Sequence, residues 1–414
     1  MKRIKVLFVT DDIRQKTGVG IQAYLLMKGL MKTGEYEIIT LAGGIIPQDP
    51  KPTMFEGIKV YPTSDGYGNP ALLKGIIQRE KPEVTVLFSD PRFFVYAFVM
   101  DNELRENTKI IFYHTWDNTP FPAFNKVWYS ACDRVVMLSR FSYMLMKDNG
   151  VPVDFAPHGG DPSEFYPLDE DEVRAVRGTL FKQLPYDPDF VVFYNNRNTH
   201  RKRTADVLVA FRRFWRTHPK SLLLMNTAAI DREGFDLGMI MKQVEMNAAP
   251  VIINGAKVTS ADLNKFYNVA DVTMNVAYNE GFGLSCMESL LAGTPNIAVA
   301  TGGLTEQMVC DDGAVNGILL EPTAKTMFGV VGNPYIYQDW TSIEAIEDAL
   351  DRAYEMRKEQ LPRLGLQGRE HIIKNYHTNS TVQRWDAIIK DVLAAPSKYE
   401  RVVMHTMGNE KVVE

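Results

Sequence analysis

Glu280 and Glu288 flank the turn Gly281-Phe282-Gly283-Leu284, with seven residues between the two carboxylates. Glycines there let backbone amides approach an anion, and the helix expected from about Ser285 to Ala292 would aim its positive end, about half an elementary charge, at the same place. Glu288, inside that helix, can accept from two neighbouring hydroxyls such as those of a ribose. Glu280, before the turn, lies nearer to a sugar carried by the phosphates. The set therefore suits a charged, sugar-bearing nucleotide. Two other readings stay open: Glu288 as part of a capped surface helix, and the pair as the acid and base of a hydrolase, which needs carboxyls about 5 to 9 Å apart.

Arg197 and Lys202 follow the apolar run Phe190–Tyr194 and precede a helical stripe of Val207, Leu208, Phe211, Phe214 and Trp215. A guanidinium and an ammonium at the carboxyl end of a strand can clamp a diphosphate. The alternative is a solvated basic turn, since Arg201, Arg203, Arg212, Arg213 and Arg216 cannot all face one ligand. Gly18 and Gly20 stand in Thr17-Gly18-Val19-Gly20, between a first strand and a helix over Ile21–Met31, another place for an anion or simply a tight turn. The third glycine of a dinucleotide fingerprint is missing. His114 closes the run Lys109–Tyr113 and precedes Trp116-Asp117-Asn118, so it faces a cleft or serves structure. His158 reads as a chain-crossing residue without a chemical role. Asp169-Glu170-Asp171 and Asp187-Pro188-Asp189 read as a helix cap and a turn, not as a metal site.

These residues need a scaffold. Short runs rich in β-branched residues, Ile4–Val9, Glu37–Leu41, Val84–Phe88, Lys109–Phe112 and Arg134–Leu138, alternate with helical stretches. A second series follows: Phe190–Tyr194, Leu222–Met225, Val251–Ile253, Val272–Val276, Asn296–Val299 and Gly317–Leu320. Continuous apolar runs suit parallel strands covered on both faces, so the expected class is α/β with two Rossmann-like, doubly wound domains facing a cleft. The proline-rich stretch 157–189 is expected to hold the hinge. The division is 1–168 and 169–378, with a terminal segment, about 379–414, whose Val382, Trp385, Ile388, Ile389, Val392 and Leu393 form a helical stripe. The last dozen residues read as a loosely held tail.

At 414 residues the chain exceeds one ordinary core, which agrees with two domains. Residues 1–168 carry 19 basic and 19 acidic side chains, so no field there draws the chain to DNA or anionic lipid. The longest apolar run, Phe93–Met100, is too short for a membrane span, and a cytoplasmic location is expected. Cys132, Cys286 and Cys310 form neither a disulfide framework nor a zinc spacing.

The chain resembles retaining nucleotide-sugar glycosyltransferases of the GT-B fold, family 4. The likeness rests on Gly18-Val19-Gly20, on Ala131-Cys132-Asp133 with Ser139, and on Pro157-His158-Gly159-Gly160-Asp161 with Phe165 and Pro167. It continues through Arg197 with Lys202, Glu280 to Glu288, Ala292-Gly293-Thr294-Pro295, and Gly302-Gly303 with Glu306. It implies that Arg197 and Lys202 hold the donor diphosphate, Glu288 the ribose, and the Gly281, Phe282, Gly283 and Leu284 backbone the phosphates and sugar. Glu280 and His114 would contact the transferred sugar from opposite domains, Gly20 would border the phosphates or the acceptor with Gly18 also a donor-binding candidate, and the terminal helix would return to the first domain. Glu280, His114 and Arg197 are thus the catalytic candidates. Asn195-Asn196 departs from the family's usual glycine before the arginine. The implied donor is a GDP- or UDP-hexose, GDP-mannose being preferred, and no cofactor or metal is expected. The implied acceptor is a glycan, glycolipid or other hydroxyl compound, with peripheral membrane contact open. Competing readings are an epimerase or phosphorylase on the same fold, a non-catalytic nucleotide-sugar binder, and an enzyme glycosylating nucleic-acid bases.

Overall fold

The computed structural model describes residues 2–44, 49, 51–246 and 250–399, so the expected tail lies outside the described residues. The first sheet comprises β1 (Ile4–Asp11), β2 (Tyr36–Gly43), β3 (Thr53–Phe55), β4 (Ile58–Pro62), β5 (Val84–Ser89), β6 (Lys109–His114), β7 (Arg134–Met137) and β8 (Val153–Phe155). Its order is β3-β4-β2-β1-β5-β6-β7-β8, parallel throughout except for the β3–β4 pair. The second sheet holds β9 (Phe190–Asn195), β10 (Ser221–Asn226), β11 (Val251–Asn254), β12 (Val272–Asn275), β13 (Asn296–Val299) and β14 (Gly317–Leu320). Its order is β11-β10-β9-β12-β13-β14, all parallel. Central strands are buried on both faces, as every residue of β5 and β12 illustrates. That burial explains the unbroken apolar runs, because a strand covered by helices above and below has no polar face.

Both sheets reverse their strand order once, at β1/β5 and at β9/β12, and such points open a crevice beyond the carboxyl ends of the strands. Gly18 follows β1, Lys202 follows β9 and Glu280 follows β12, so topology alone directs them to these crevices.

Strands β3, β4 and β8 were not legible as apolar runs, and neither was the antiparallel hairpin β15 (Ala324–Val330) and β16 (Asn333–Trp340). Every residue of β15 is exposed, which removes the alternation that betrays a strand. The hairpin packs against loops of both lobes instead of a sheet.

Between β8 and β9 the chain crosses lobes, and it crosses back after the helix Gln360–Tyr376. The two crossings lie side by side: Gly160 N–H donates to Tyr376 O at 2.8 Å, and Thr378 N–H to Gly160 O at 3.0 Å. The helix Thr378–Ala394 then packs on the first lobe. Trp385 is fully buried against Tyr113, ring centroids 4.9 Å apart, and Tyr36 donates to Asp386 at 2.6 Å. Asp169 caps the helix Glu170–Leu180 through a reciprocal bond set with Glu172, which accounts for that acidic cluster.

Candidate functional site

The glycine turn is built to a tight tolerance. Gly283 adopts φ +96°, a left-handed conformation costly for any other residue, and starts the helix Leu284–Leu291. Gly302, at φ +48°, presses against the turn from below: a Cβ there would lie 2.1 Å from Glu280 O and 2.5 Å from Asp117 O. Gly303 N–H donates to Glu280 O at 2.9 Å, and Gln307 Nε2 to Phe282 O at 2.6 Å. These contacts fix the backbone, so the amides at the helix start keep their aim.

Glu280 is buried and ion-paired with Lys202, while Arg201 lies 3.7 Å from the same oxygen. Burial pushes the Glu280 carboxyl up, but the two cations outweigh it and hold it below the usual carboxylate range. Burial and the neighbouring Arg201 pull Lys202 below the ordinary lysine range, against the attraction of Glu280. Lys202 and Arg201 both bear on Glu280, and Asp117 balances the second cation, so an anion would bind by sharing these cations with the carboxylates. Arg201 also reaches Asn279 O, and it lies 3.5 Å from Asp117 of the first lobe.

Arg197 stands elsewhere. Its guanidinium donates to Asp231 at 2.9 and 3.1 Å and pairs with Glu233 at 3.0 Å, with 60% of the side chain exposed. Arg197 and Lys202 are thus not brought together in this structure, and the cation beside Lys202 is Arg201. The reason is local. Residues His200–Lys202 form a 3-10 turn, which rotates Arg201 and Lys202 toward Glu280, while Asp231 and Glu233 offer Arg197 nearer partners. Arg203 completes the division: it is buried, in a left-handed conformation, bonded to Asp206 and Thr341 O, and lies over Tyr278 and Trp340. Spacing alone could not tell these four cations apart.

Glu288, partly buried, accepts from the Tyr267 hydroxyl at 2.7 Å. Burial pushes its pKa up to about 7, the Tyr267 bond works against that shift, and Glu164 adds to it. The surface-helix reading fails for this side chain.

From the first lobe, Gly18 abuts the turn, since a Cβ there would lie 3.1 Å from Leu284 Cδ1. Gly20 N–H donates to the capping Thr17 Oγ1 at 3.0 Å. His114 is fully buried, its Nε2 2.9 Å from Tyr129 Oη, and burial lowers its pKa to about 3, so it stays neutral. It stacks on Phe112. His158, at the crossing, bonds to Tyr113 at 2.9 Å and packs edge-on against Phe282.

A feature absent from the sequence reading holds the lobes together beside the site. Asp339, on β16, accepts from Asn118 Nδ2 at 2.7 Å and from Thr301 Oγ1 at 2.6 Å, and its own N–H donates to Tyr278 O at 2.7 Å. Tyr337 N–H donates to Thr119 O at 2.8 Å. The hairpin thus pins the loop after His114 to the loop that precedes Glu280. Glu306 makes a second bridge, accepting from Phe141 N–H of the first lobe at 2.9 Å.

Residues 177–329 match the family described as Glycosyl transferases group 1. Curated relatives include D-inositol 3-phosphate glycosyltransferase of Pseudarthrobacter chlorophenolicus, 28% identical over 37% of this chain and 35% of that protein. Another is alpha-monoglucosyldiacylglycerol synthase of Acholeplasma laidlawii, 27% identical over 44% of each. The chain spans between about a third and under half of the length of the curated relatives it matches. Among solved structures, sucrose-phosphate synthase from Thermosynechococcus elongatus superposes with a TM-score of 0.75 at 16% identity, over 95% of this chain and 100% of that one. A glycosyltransferase from Rickettsia africae gives 0.70 at 16%, over 96% and 100%. Anabaena HepE in complex with UDP and glucose gives 0.66 at 13%, over 94% and 100%. The architecture is the GT-B fold.

Proposed function

We propose that this chain, a GT-B protein containing a glycosyl transferases group 1 domain, is a retaining hexosyltransferase. It would move a hexose from a nucleoside-diphosphate sugar, GDP- or UDP-linked, to an acceptor hydroxyl in glycan, glycolipid or polysaccharide synthesis in the cytoplasm. The observation that carries this reading is the buried Glu280 shared by Lys202 and Arg201 at a glycine turn that opens a helix.

The donor's diphosphate would lie on the amides of Gly283 and Leu284, with Lys202 and Arg201 on its oxygens. Glu288 would accept from the ribose hydroxyls. Glu280, freed from part of its present pairing, would accept from hydroxyls of the hexose, and neutral His114 would face the same sugar from the first lobe. In the transfer, the bond between the anomeric carbon and the phosphate oxygen breaks as the acceptor oxygen attacks from the same face. The leaving phosphate oxygen takes the acceptor's proton, giving glycoside and nucleoside diphosphate. Fixed cations and helix amides supply charge stabilisation without reorganising, where water is largely excluded. The UDP and glucose named with HepE support a nucleotide-sugar donor.

The test is a thermal-shift screen against nucleotide sugars, since a donor at 100 times its Kd stabilises by about 2.7 kcal/mol. The retained donor is then incubated with acceptor extracts, with and without chelator. Acceptor-dependent release of nucleoside diphosphate with unchanged anomeric configuration is expected. A screen in which no nucleotide sugar raises Tm overturns the proposal, and epimer formation from donor alone redirects it.

A further inference from the structure

Three neighbouring strands end in the same residue at the same level. β9, β10 and β11 close on Asn195, Asn226 and Asn254, and the register sets Asn226 opposite both of the others. Their amides are joined in a row. Asn254 Nδ2 donates to Asn226 Oδ1 at 2.8 Å, Asn226 Nδ2 to Asn195 Oδ1 at 2.9 Å, and Asn195 Nδ2 to Tyr267 Oη at 2.8 Å. Tyr267 then donates to Glu288 Oε2 at 2.7 Å.

The direction of this row follows from its end. A carboxylate only accepts, so the tyrosine hydroxyl spends its proton on Glu288 and takes an N–H from Asn195. That turns the Asn195 carbonyl toward Asn226, whose own carbonyl must then face Asn254. One negative charge orients every amide, and the aligned dipoles polarise one another toward it. Protonating Glu288 would remove the reason for the order, and reversing the row would need all three amides to flip. At the far end, Asn254 bonds both the N–H and the carbonyl of Ala256, at 3.3 and 3.2 Å. The turn it shapes touches the first lobe: Lys257 donates to Gln15 at 3.3 Å, and Lys16 donates to Val258 O.

We propose that this asparagine row is a positioning device for the nucleotide, holding Glu288 ionised and aimed, and tying it to the 255–258 turn that meets the first lobe. The inference rests on the reading that Glu288 accepts from the donor's ribose. Asn195, Asn226 and Asn254 act through Tyr267 and are positioning residues. The other titratable group bearing on Glu288 is Glu164, whose charge opposes ionisation; Cys286, on the same helix, is turned to Met308.

The test uses the full chain titrated with GDP and with UDP by calorimetry, between about pH 5.5 and 8.5, the range spanning a shifted carboxyl. Tyr267→Phe keeps the ring and cuts the last link; Asn226→Leu cuts the row two links earlier. Each should weaken nucleotide binding, by about three- to tenfold for Tyr267→Phe and less for Asn226→Leu, and move the pH midpoint of binding upward. The double variant should bind no more weakly than Tyr267→Phe alone, because the row is already severed; residues that merely filled space would give additive losses. Asn226→Leu with unchanged affinity and midpoint, or an additive double variant, overturns the proposal. If Asn226→Leu does not fold, Asn254→Ala on the edge strand makes the cut instead, under the same criteria. Glu288→Gln separates the two layers. Unchanged nucleotide affinity in that variant overturns the ribose reading, whereas a loss there with Asn226→Leu unaffected overturns the row alone.

Discussion

The two ends of the glycine turn carry the same residue type in opposite surroundings. Glu280 sits among cations, and Lys202 and Arg201 hold it ionised despite its burial. Glu288 has a tyrosine hydroxyl and a row of neutral amides, and burial lifts it to about 7. The contrast teaches that sequence spacing places carboxylates while their neighbours decide what each can do. A carboxylate paired with cations can share them with a ligand's phosphates. One held by a fixed hydroxyl keeps its geometry and changes only with its proton.

The sharpest way to break this comparison is at the cationic end. Glu280→Gln and Lys202→Met should each lower kcat on the order of 10²-fold or more, as removal of a charge-stabilising group does. A Glu280→Gln enzyme that loses only donor affinity would show the two carboxylates to be alike. Glu288→Gln should weaken donor binding about tenfold, the scale of a hydrogen bond to a charged group, with kcat at saturating donor nearly kept. In the unaltered chain the sign of the pH dependence follows from the raised pKa of Glu288: protonation removes its charge and turns one oxygen from acceptor to donor, so donor Kd should worsen as pH falls through about 7 and level off above it. His114, neutral by burial, should contribute no limb between about pH 5 and 8. A titration that improves on acidification would refute the assignment.

Asp339→Asn, which weakens the hairpin's hold on Asn118 and Thr301, should change kcat and donor KM together by several-fold, since it loosens lobe alignment without touching the turn. The smallest effect is expected at Arg197. Arg197→Ala removes largely exposed ion pairs, worth about 0 to 1 kcal/mol in stability, and should leave kcat within about threefold. A 10²-fold loss there would mean that the guanidinium leaves Asp231 and Glu233 during turnover.

Most of the parallel strands were legible because burial on both faces leaves a run such as Val84–Phe88 apolar except for Thr85, itself fully buried. The turn at Gly281–Gly283 was legible because left-handed backbone demands glycine. The hairpin was not, since strand β15 buries none of its residues and announces no face. Nor could spacing choose Arg201 over Arg197, because a single 3-10 turn decides which of the neighbouring cations looks inward. Asn195, noted only as a departure from a family pattern, proved to be a rung in a row of three amides, a relation visible only once three strands lie in register.

The adjacent crossings at Gly160 and Thr378 carry a mechanical consequence. A single tether would let one half swivel about any axis, whereas two tethers bonded together act as a door hinge and leave one easy swing. Opening to admit donor and shutting for transfer would then follow nearly the same arc each time. A protease that severed one tether would leave the halves joined by the other, with the hairpin and the Glu306 bridge left to resist twisting.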